Sequence, residues 1–344
     1  MSSRFIHNPQ QPKQGSRSRS RKMDSQSNNN KSDIESSSTS SSTKTDKMKS
    51  DNDKGTMAPT TPSDIPTALV VPIAIFMLGF VIAQPLYPTE ADLNNRTIPY
   101  QITSAGDVML DLEIDNELIS DADVTIPGEL LIRTAITIPI MIVVGLASRK
   151  NPSEAIPALS GLLVAIGLTQ GCTSLLKIYV LRRRPNFYAM CEFSKETLKC
   201  GAEFRTALEA QMSFPSGHAS LTFGGMTYLI WYFIGFTGIL ASPLPEWMAS
   251  STSSLRSTIP ASSLRIIQLL VMTLPPFAWG CYVAGSRLVD HWHHPADVLC
   301  GSLIGMLFAT VGYHVMYPMV TSSNAGTPLS AQPVREEKLP LVNE

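Results

Sequence analysis

From residue 66 onward, six long apolar runs alternate with polar connections, near 66–84, 129–148, 156–180, 216–238, 264–285 and 296–317. A helix needs about 20 residues to cross the hydrocarbon core of a bilayer, within a range of roughly 17–25, and each run is long enough. Several contain glycine or proline, among them Pro139, Gly167, Gly171, Gly224 and Pro275, which membrane helices tolerate better than soluble ones. Lipid offers no partner to an unpaired backbone group, so only helices and closed barrels span it. The pattern therefore predicts an all-α fold, a six-span transmembrane helical bundle over residues 63–318. Residues 1–62 are crowded with Ser, Asn, Lys and Asp and nearly devoid of large apolar side chains, which predicts a disordered cytosolic tail. Residues 319–344 are expected to form a short second tail. The first apolar run lies too far behind the polar tail for a cleaved signal sequence.

Charge in the connections orients the bundle. Lys44, Lys47, Lys49 and Lys54 precede the first run, Arg149 and Lys150 link the second to the third, and Arg256 and Arg265 lie between the fourth and fifth. An excess of Lys and Arg marks cytoplasmic loops, so these segments and both termini are expected in the cytosol. The 87–128 connection is acidic (Asp107, Asp111, Glu113, Asp115, Asp121, Asp123) and falls on the opposite face. It holds the sequon Asn95-Arg96-Thr97, which can be glycosylated only there. Asn30-Lys31-Ser32, on the cytosolic side, is expected to stay unmodified. The 182–215 connection breaks the rule by placing Arg182, Arg183 and Arg184 on the non-cytosolic face. A functional cationic site produces that kind of exception.

Whole-chain averages conceal this division. The 344 residues are 44% hydrophobic with a net charge of -1, values of an ordinary soluble protein, because the polar tail dilutes an apolar remainder. A charge near zero gives no reason to expect a nucleic-acid partner, and Arg17, Arg19, Arg21 and Lys22 read as part of a solvated tail. The five cysteines include no Cys-x-x-Cys pair, which argues against a zinc site. Cys172, Cys281 and Cys300 sit in apolar runs and read as small buried hydrophobes. Cys191 and Cys200 share a polar connection, and a disulfide between them requires that connection to face an oxidising compartment. Nothing in the composition defines an oligomeric state.

Candidate chemistry is confined to three short stretches. Lys177 and Arg184 are seven positions apart, about 10 Å along a helix axis, so long side chains on one face can converge before Pro185 stops the helix. Cations at a helix end also snorkel to lipid headgroups, but Lys177 lies within an apolar run and asks for an anionic partner. Ser216 is a good N-cap, Gly217 permits close backbone approach, and free N–H groups at a helix start favour phosphate. The plainer alternative is a capped helix with an incidental His218. His293 and Asp297 are four apart and share a helical face. The carboxylate can then hold one imidazole nitrogen and leave the other free to attack. Arg287 can close a fork on two phosphate oxygens. His291 and His294 read as headgroup-facing or as backing the site. A metal centre on His291, His293 and His294 lacks mixed ligands at helical spacing, so neither metal nor cofactor is expected. The alternation of spans brings all three stretches to one membrane face.

These stretches resemble the three-part signature of the type 2 phosphatidic acid phosphatase superfamily: Lys-x6-Arg-Pro at 177–185, Pro-Ser-Gly-His at 215–218 and Ser-Arg-x5-His-x3-Asp at 286–297. The local texts RRRPNFYAMC and DHWHHPADVLCG look like the eukaryotic lipid phosphate phosphatase branch, and the likeness covers roughly residues 66–318. The resemblance implies that His293 is a nucleophile forming a phosphohistidine, held by Asp297. It implies that His218 protonates the departing alcohol and then deprotonates water. Lys177, Arg184, Arg287, Ser216 and the Gly217 backbone would hold the phosphoryl oxygens, without magnesium. A phosphomonoester carries about -1.5 to -2 charges near neutral pH, which three cations and a helix terminus can neutralise. A site at the membrane edge suits a lipid phosphate substrate such as phosphatidic acid, with its chains in the bilayer. An isoprenoid-diphosphate phosphatase or a phosphoryl-headgroup transferase would use the same scaffold. A mere binder or transporter would need the cations but not an oriented nucleophile, and the apolar spans speak against a soluble haloperoxidase.

Overall fold

The computed structural model describes residues 64–120, 122–241 and 261–332. The tail expected at 1–62 with its Asn30 sequon, Asp121, Arg256 and residues 333–344 lie outside the described residues. Among the described residues, six helical stretches are long and apolar enough to cross a membrane. They are α1 (Asp64–Val81); α3 (Gly128–Ile132), continued through a π turn at Arg133–Thr137 into α4 (Ile138–Lys150); α5 (Ala155–Val180); α8 (Gly217–Thr237); α9 (Ala261–Val289); and α10 (Pro295–Met316). Together with the apolar faces described below, they make this a multi-pass membrane protein. The expected limits agree within a few residues, except that α9 runs on past 285. Its last turn carries Ser286 and Arg287, which are buried, so polarity there marks an inward-facing helix end and not a loop.

The helices meet through small residues. Without water to drive apolar faces together, membrane helices associate by close packing. Gly301 and Gly305 of α10 face the backbone of Ser216 and Ser220 at the start of α8; a Cβ on Gly301 would lie 2.5 Å from the Ser216 carbonyl oxygen. Gly161 of α5 meets Gly312 of α10 in the same way. As a result α10 packs between α8 and α5, with α1 on α5 and α9 on α8. The core includes Val143, Leu162, Ile166, Tyr228 and Tyr313. The opposite faces stay apolar but exposed: Leu299, Leu303 and Leu307 repeat every four residues along α10, as do Ile73, Met77 and Val81 on α1 and Ile266, Leu270 and Leu274 on α9. A row at that spacing covers one helix face, and lipid is the medium that suits it.

The two long connections carry structure of their own. Residues 87–128 contain α2 (Glu90–Asn94) and the hairpin β1 (Tyr100–Ile102) with β2 (Val108–Leu110). Residues 182–215 contain α6 (Phe187–Cys191), the two-residue strands β3 (Phe193–Ser194) and β4 (Lys199–Cys200), and α7 (Phe204–Glu209). The all-α expectation did not include these two small hairpins, which lie outside the spans. Cys191, at the end of α6, forms a disulfide with Cys200 of β4. Ile114 packs with Phe187, Tyr188 and Met190, and Asn116 donates from both backbone N and Nδ2 to the Pro185 carbonyl at 3.0 Å. The connections therefore form one layer over the helix ends.

Candidate active site

The convergence of Lys177 and Arg184 does not come from a shared helix face, as the spacing suggested. α5 stops at Val180, and Leu181 caps it in the left-handed region at φ 47, an uncommon conformation for a residue with a Cβ. The chain leaves the helix four residues before Pro185. Residues 182–184 then pair with 210–213: Ser213 N–H donates to the Arg182 carbonyl, and Arg184 N–H to the Ala210 carbonyl, each at 2.9 Å. Lys177, in the last turn of α5, reaches the same segment from below and donates Nζ to the Met212 carbonyl at 2.6 Å. Arg184 is only 2% exposed. Its Nε donates to the Glu209 carbonyl at 2.7 Å, its Nη2 pairs with the Glu209 carboxylate, and its Nη1 donates to the Trp292 carbonyl at 2.9 Å. The guanidinium also stacks over the Trp292 ring, 4.8 Å from its centroid. Fixed this way, Nη1 lies 3.4 Å from Nε2 of His293.

His293 belongs to the turn between α9 and α10. Its Nδ1 is 2.7 Å from the Ser213 carbonyl oxygen. A carbonyl only accepts, so Nδ1 carries the hydrogen and Nε2 keeps its lone pair. Burial, then the positive charges of Arg184 and Lys177, and then His218, hold the imidazole pKa well below its usual 6.5, with the Ser213 bond opposing. The result is a neutral, oriented imidazole in a dry, cation-rich setting.

Asp297 does not hold His293 directly. The Nδ1 to Oδ2 distance is 3.9 Å, beyond hydrogen-bond range. The four-residue spacing argument assumed a helix through both residues, but α10 starts only at Pro295, with His294 as its N-cap. Asp297 is the third helical residue and accepts from His294 N–H at 3.0 Å and faces His294 Nδ1 at 3.2 Å. It further accepts from Ser213 Oγ at 2.6 Å and Arg182 Nη1 at 2.7 Å. It is fully buried, and four donors satisfy it there. Asp297 therefore braces Ser213, and Ser213 aims His293.

The remaining signature residues close the same space. Ser216 caps α8, its Oγ accepting from Ala219 N–H at 3.4 Å, while its own N–H donates to the Asp297 carbonyl at 2.9 Å. A Cβ on Gly217 would meet only Lys177 Cε, at 3.8 Å. Packing within the protein thus tolerates a larger residue there, which leaves ligand approach as the physical use for glycine. His218 has a buried Nε2 with no partner among the described residues. Arg287 is 2% exposed; Nη2 donates to Asp290 Oδ2 at 2.7 Å and Nε to Ser286 Oγ at 3.1 Å. Asp290 also accepts from Thr125 N–H at 3.1 Å and Thr125 Oγ1 at 2.7 Å, which ties the 87–128 connection to the site. Sequence reading missed Ser213, Glu209, Asp290, Trp292 and Thr125 as partners. Asp290 and Trp292 stand inside the stretch around His293 and could have been weighed; the others carry no local signal.

Residues 158–319 match the family described as the PAP2 superfamily. The chain is 32% identical to lipid phosphate phosphatase 1 of Arabidopsis thaliana over 46% of its own length and 44% of the relative's. It is 29% identical to lipid phosphate phosphatase 2 of the same plant over 57% and 63%, respectively. It is 25% identical to diacylglycerol pyrophosphate phosphatase 1 of Saccharomyces cerevisiae over 52% and 57%. The matches thus span between 44% and 63% of these relatives' lengths. No solved structure matches the chain.

Proposed function

The chain belongs to the PAP2 superfamily, and from that premise we propose that it is a membrane-embedded lipid phosphate phosphatase. It hydrolyses phosphatidic acid and related lipid phosphates to the dephosphorylated lipid and phosphate. The observation that carries this reading is the unprotonated Nε2 of a neutral His293, 3.4 Å from the Arg184 guanidinium and aimed by the Ser213 carbonyl. The substrate phosphate sits among Lys177, Arg184, Arg287 and the N-terminus of α8, where Gly217 presents its backbone N–H and Ser216 its hydroxyl. Nε2 attacks phosphorus, the bond to the lipid oxygen breaks, and His218, which takes up a proton when the anionic phosphate binds beside it, gives that proton to the lipid oxygen. The phosphoryl group is now on His293. Neutral His218 takes a proton from water, the hydroxide attacks phosphorus, and phosphate leaves with the His293 lone pair restored.

All positive charge in this scheme comes from side chains and a helix terminus, so the reaction runs without magnesium. Phosphate release from dispersed phosphatidic acid is expected to continue unchanged in excess EDTA. Loss of activity on chelation, restored by magnesium, would count against the scheme.

The site opens on the non-cytosolic side, the face assigned to the acidic 87–128 connection. Asn95 is exposed at the end of α2 in the same layer as the site. The protein from cells is expected to shift in gel mobility after endoglycosidase treatment, and Asn95→Gln to remove the shift. Cleavage of residues 87–128 by a protease confined to the cytosolic side would reverse the orientation.

A further inference from the structure

A cavity of about 770 Å³ lies in the layer over the helix ends, between α2 and residues 183–211. None of Lys177, Arg184, His218, Arg287 or His293 lines it. It is nonetheless the neighbour of their site, because adjacent residues of one segment face the two spaces. Arg184 turns toward His293, whereas Arg183 turns away, donating Nη2 to the Thr97 carbonyl and lying 5.3 Å over the Phe187 ring. Gln211 lines the cavity next to Met212, whose carbonyl holds Lys177.

The lining is built for an anion. Arg96, Arg183 and Lys199 face Glu90, an acid exposed to solvent. Arg96 Nη1 donates to the Leu181 carbonyl at 3.0 Å, but among the described residues neither Arg96 nor Arg183 has a carboxylate within ion-pair distance. Burial first, and then repulsion from Arg96, depress the Arg183 pKa, with Tyr188 and Asp111 opposing, so the two guanidiniums stand near each other without a carboxylate in direct contact. Arg183 Nε is buried without a partner, and so is Oε1 of Gln211, a residue only 5% exposed. An amide can present either its oxygen or its N–H groups to an occupant. Two guanidiniums without a carboxylate partner, beside a buried amide whose Nε2 makes one long bond to the Ala207 carbonyl at 3.4 Å and whose Oε1 has no partner, match a phosphate oxyanion, which takes several charge-assisted donors at once.

We propose that this cavity is a second phosphate-binding site, separate from the phosphoryl-transfer site, in which Arg96 and Arg183 hold the anion and Gln211 and Lys199 complete its shell. Two sources offer that chemistry: the phosphate headgroup of a lipid, or inorganic phosphate released by hydrolysis. The second source rests on the proposed reaction; the site itself does not.

Full-length protein purified in detergent tests this by equilibrium dialysis against inorganic phosphate and, in parallel, against a dihexanoyl phosphatidic acid analogue with a non-hydrolysable phosphonate. Wild type is expected to bind one equivalent more of at least one probe than Arg96→Gln/Arg183→Gln. Affinity for that equivalent should fall tenfold or more in each single variant. An extra equivalent of inorganic phosphate identifies the free anion as the occupant, and one seen only with the analogue identifies the headgroup. Gln211→Glu, which adds a carboxylate to the lining that Arg96 and Arg183 share and so supplies a counter-charge, should remove the same equivalent without loss of melting temperature. Hydrolysis of a small soluble phosphate ester should stay within twofold of wild type in all of them. Equal stoichiometry of both probes in wild type and every variant overturns the site. Because binding is read directly, a wild type that binds the extra equivalent but hydrolyses nothing defeats the proposed reaction alone.

Discussion

Replacing His293 with alanine is expected to abolish lipid phosphate hydrolysis, by about ten-thousandfold or more in kcat, the order of loss seen when a nucleophile that works as one of a set is removed. The variant should still fold. The side chain's short hydrogen bond is the one to the Ser213 carbonyl, with longer contacts to Arg184 Nη1 and Ser213 Oγ, and leaving that carbonyl unpaired costs about 1–3 kcal/mol. Lys177, Arg184 and Arg287 all remain, held by Met212, Glu209 and Asp290, so phosphate should still bind. The measurement is phosphate release from phosphatidic acid beside rapid-quench labelling with a radiolabelled substrate. Wild type should show an acid-labile, base-stable phosphoprotein, and His293→Ala should show none. Activity surviving the substitution would mean that the imidazole is not the group attacked.

Asp290→Ala should produce the largest loss of stability of any single change near the site. Asp290 and Arg287 are each 2% exposed and joined at 2.7 Å. Removing one partner of a buried pair strands the other charge away from water, which typically costs about 3–5 kcal/mol. The carboxylate also holds the backbone and hydroxyl of Thr125, so the end of the 87–128 connection is released as well. Thermal or denaturant unfolding in detergent would show this, with Asp290→Asn losing less because an amide oxygen still accepts from Thr125. Added inorganic phosphate should recover part of the loss, since an anion that binds only the folded state stabilises it by mass action and can pair with the freed guanidinium. Wild-type stability in Asp290→Ala would show that Arg287 is neutralised by some other group.

The parts of this molecule that could be read from residues alone are those dictated by the solvent. A bilayer requires about 20 apolar residues per crossing, whatever the protein does, and all six spans could therefore be placed within a few positions. At the end of α9 the apolar run stops at 285 while the helix continues to Val289, because Ser286 and Arg287 are polar groups kept inside the bundle. The identities of the cations and imidazoles at the site were also visible, since they are rare side chains in an apolar setting.

Their partnerships were not visible. His293 is aimed by a backbone carbonyl 80 residues away and Asp290 is joined to Thr125 across 165 residues. Neither a carbonyl nor so remote a pair leaves any trace in local periodicity. Asp297 illustrates the difference most clearly. Its spacing from His293 suggested a direct bond, yet a helix that starts two residues after that histidine turns the carboxylate onto Ser213, His294 and Arg182 instead. Sequence thus determined the spans, their order and the charged and imidazole groups at one end of the bundle, because the medium and the side chains' own chemistry decide those. Which atom orients which depended on where each helix begins and on the close approach of α8 and α10 through glycine, and only the packed chain decides that.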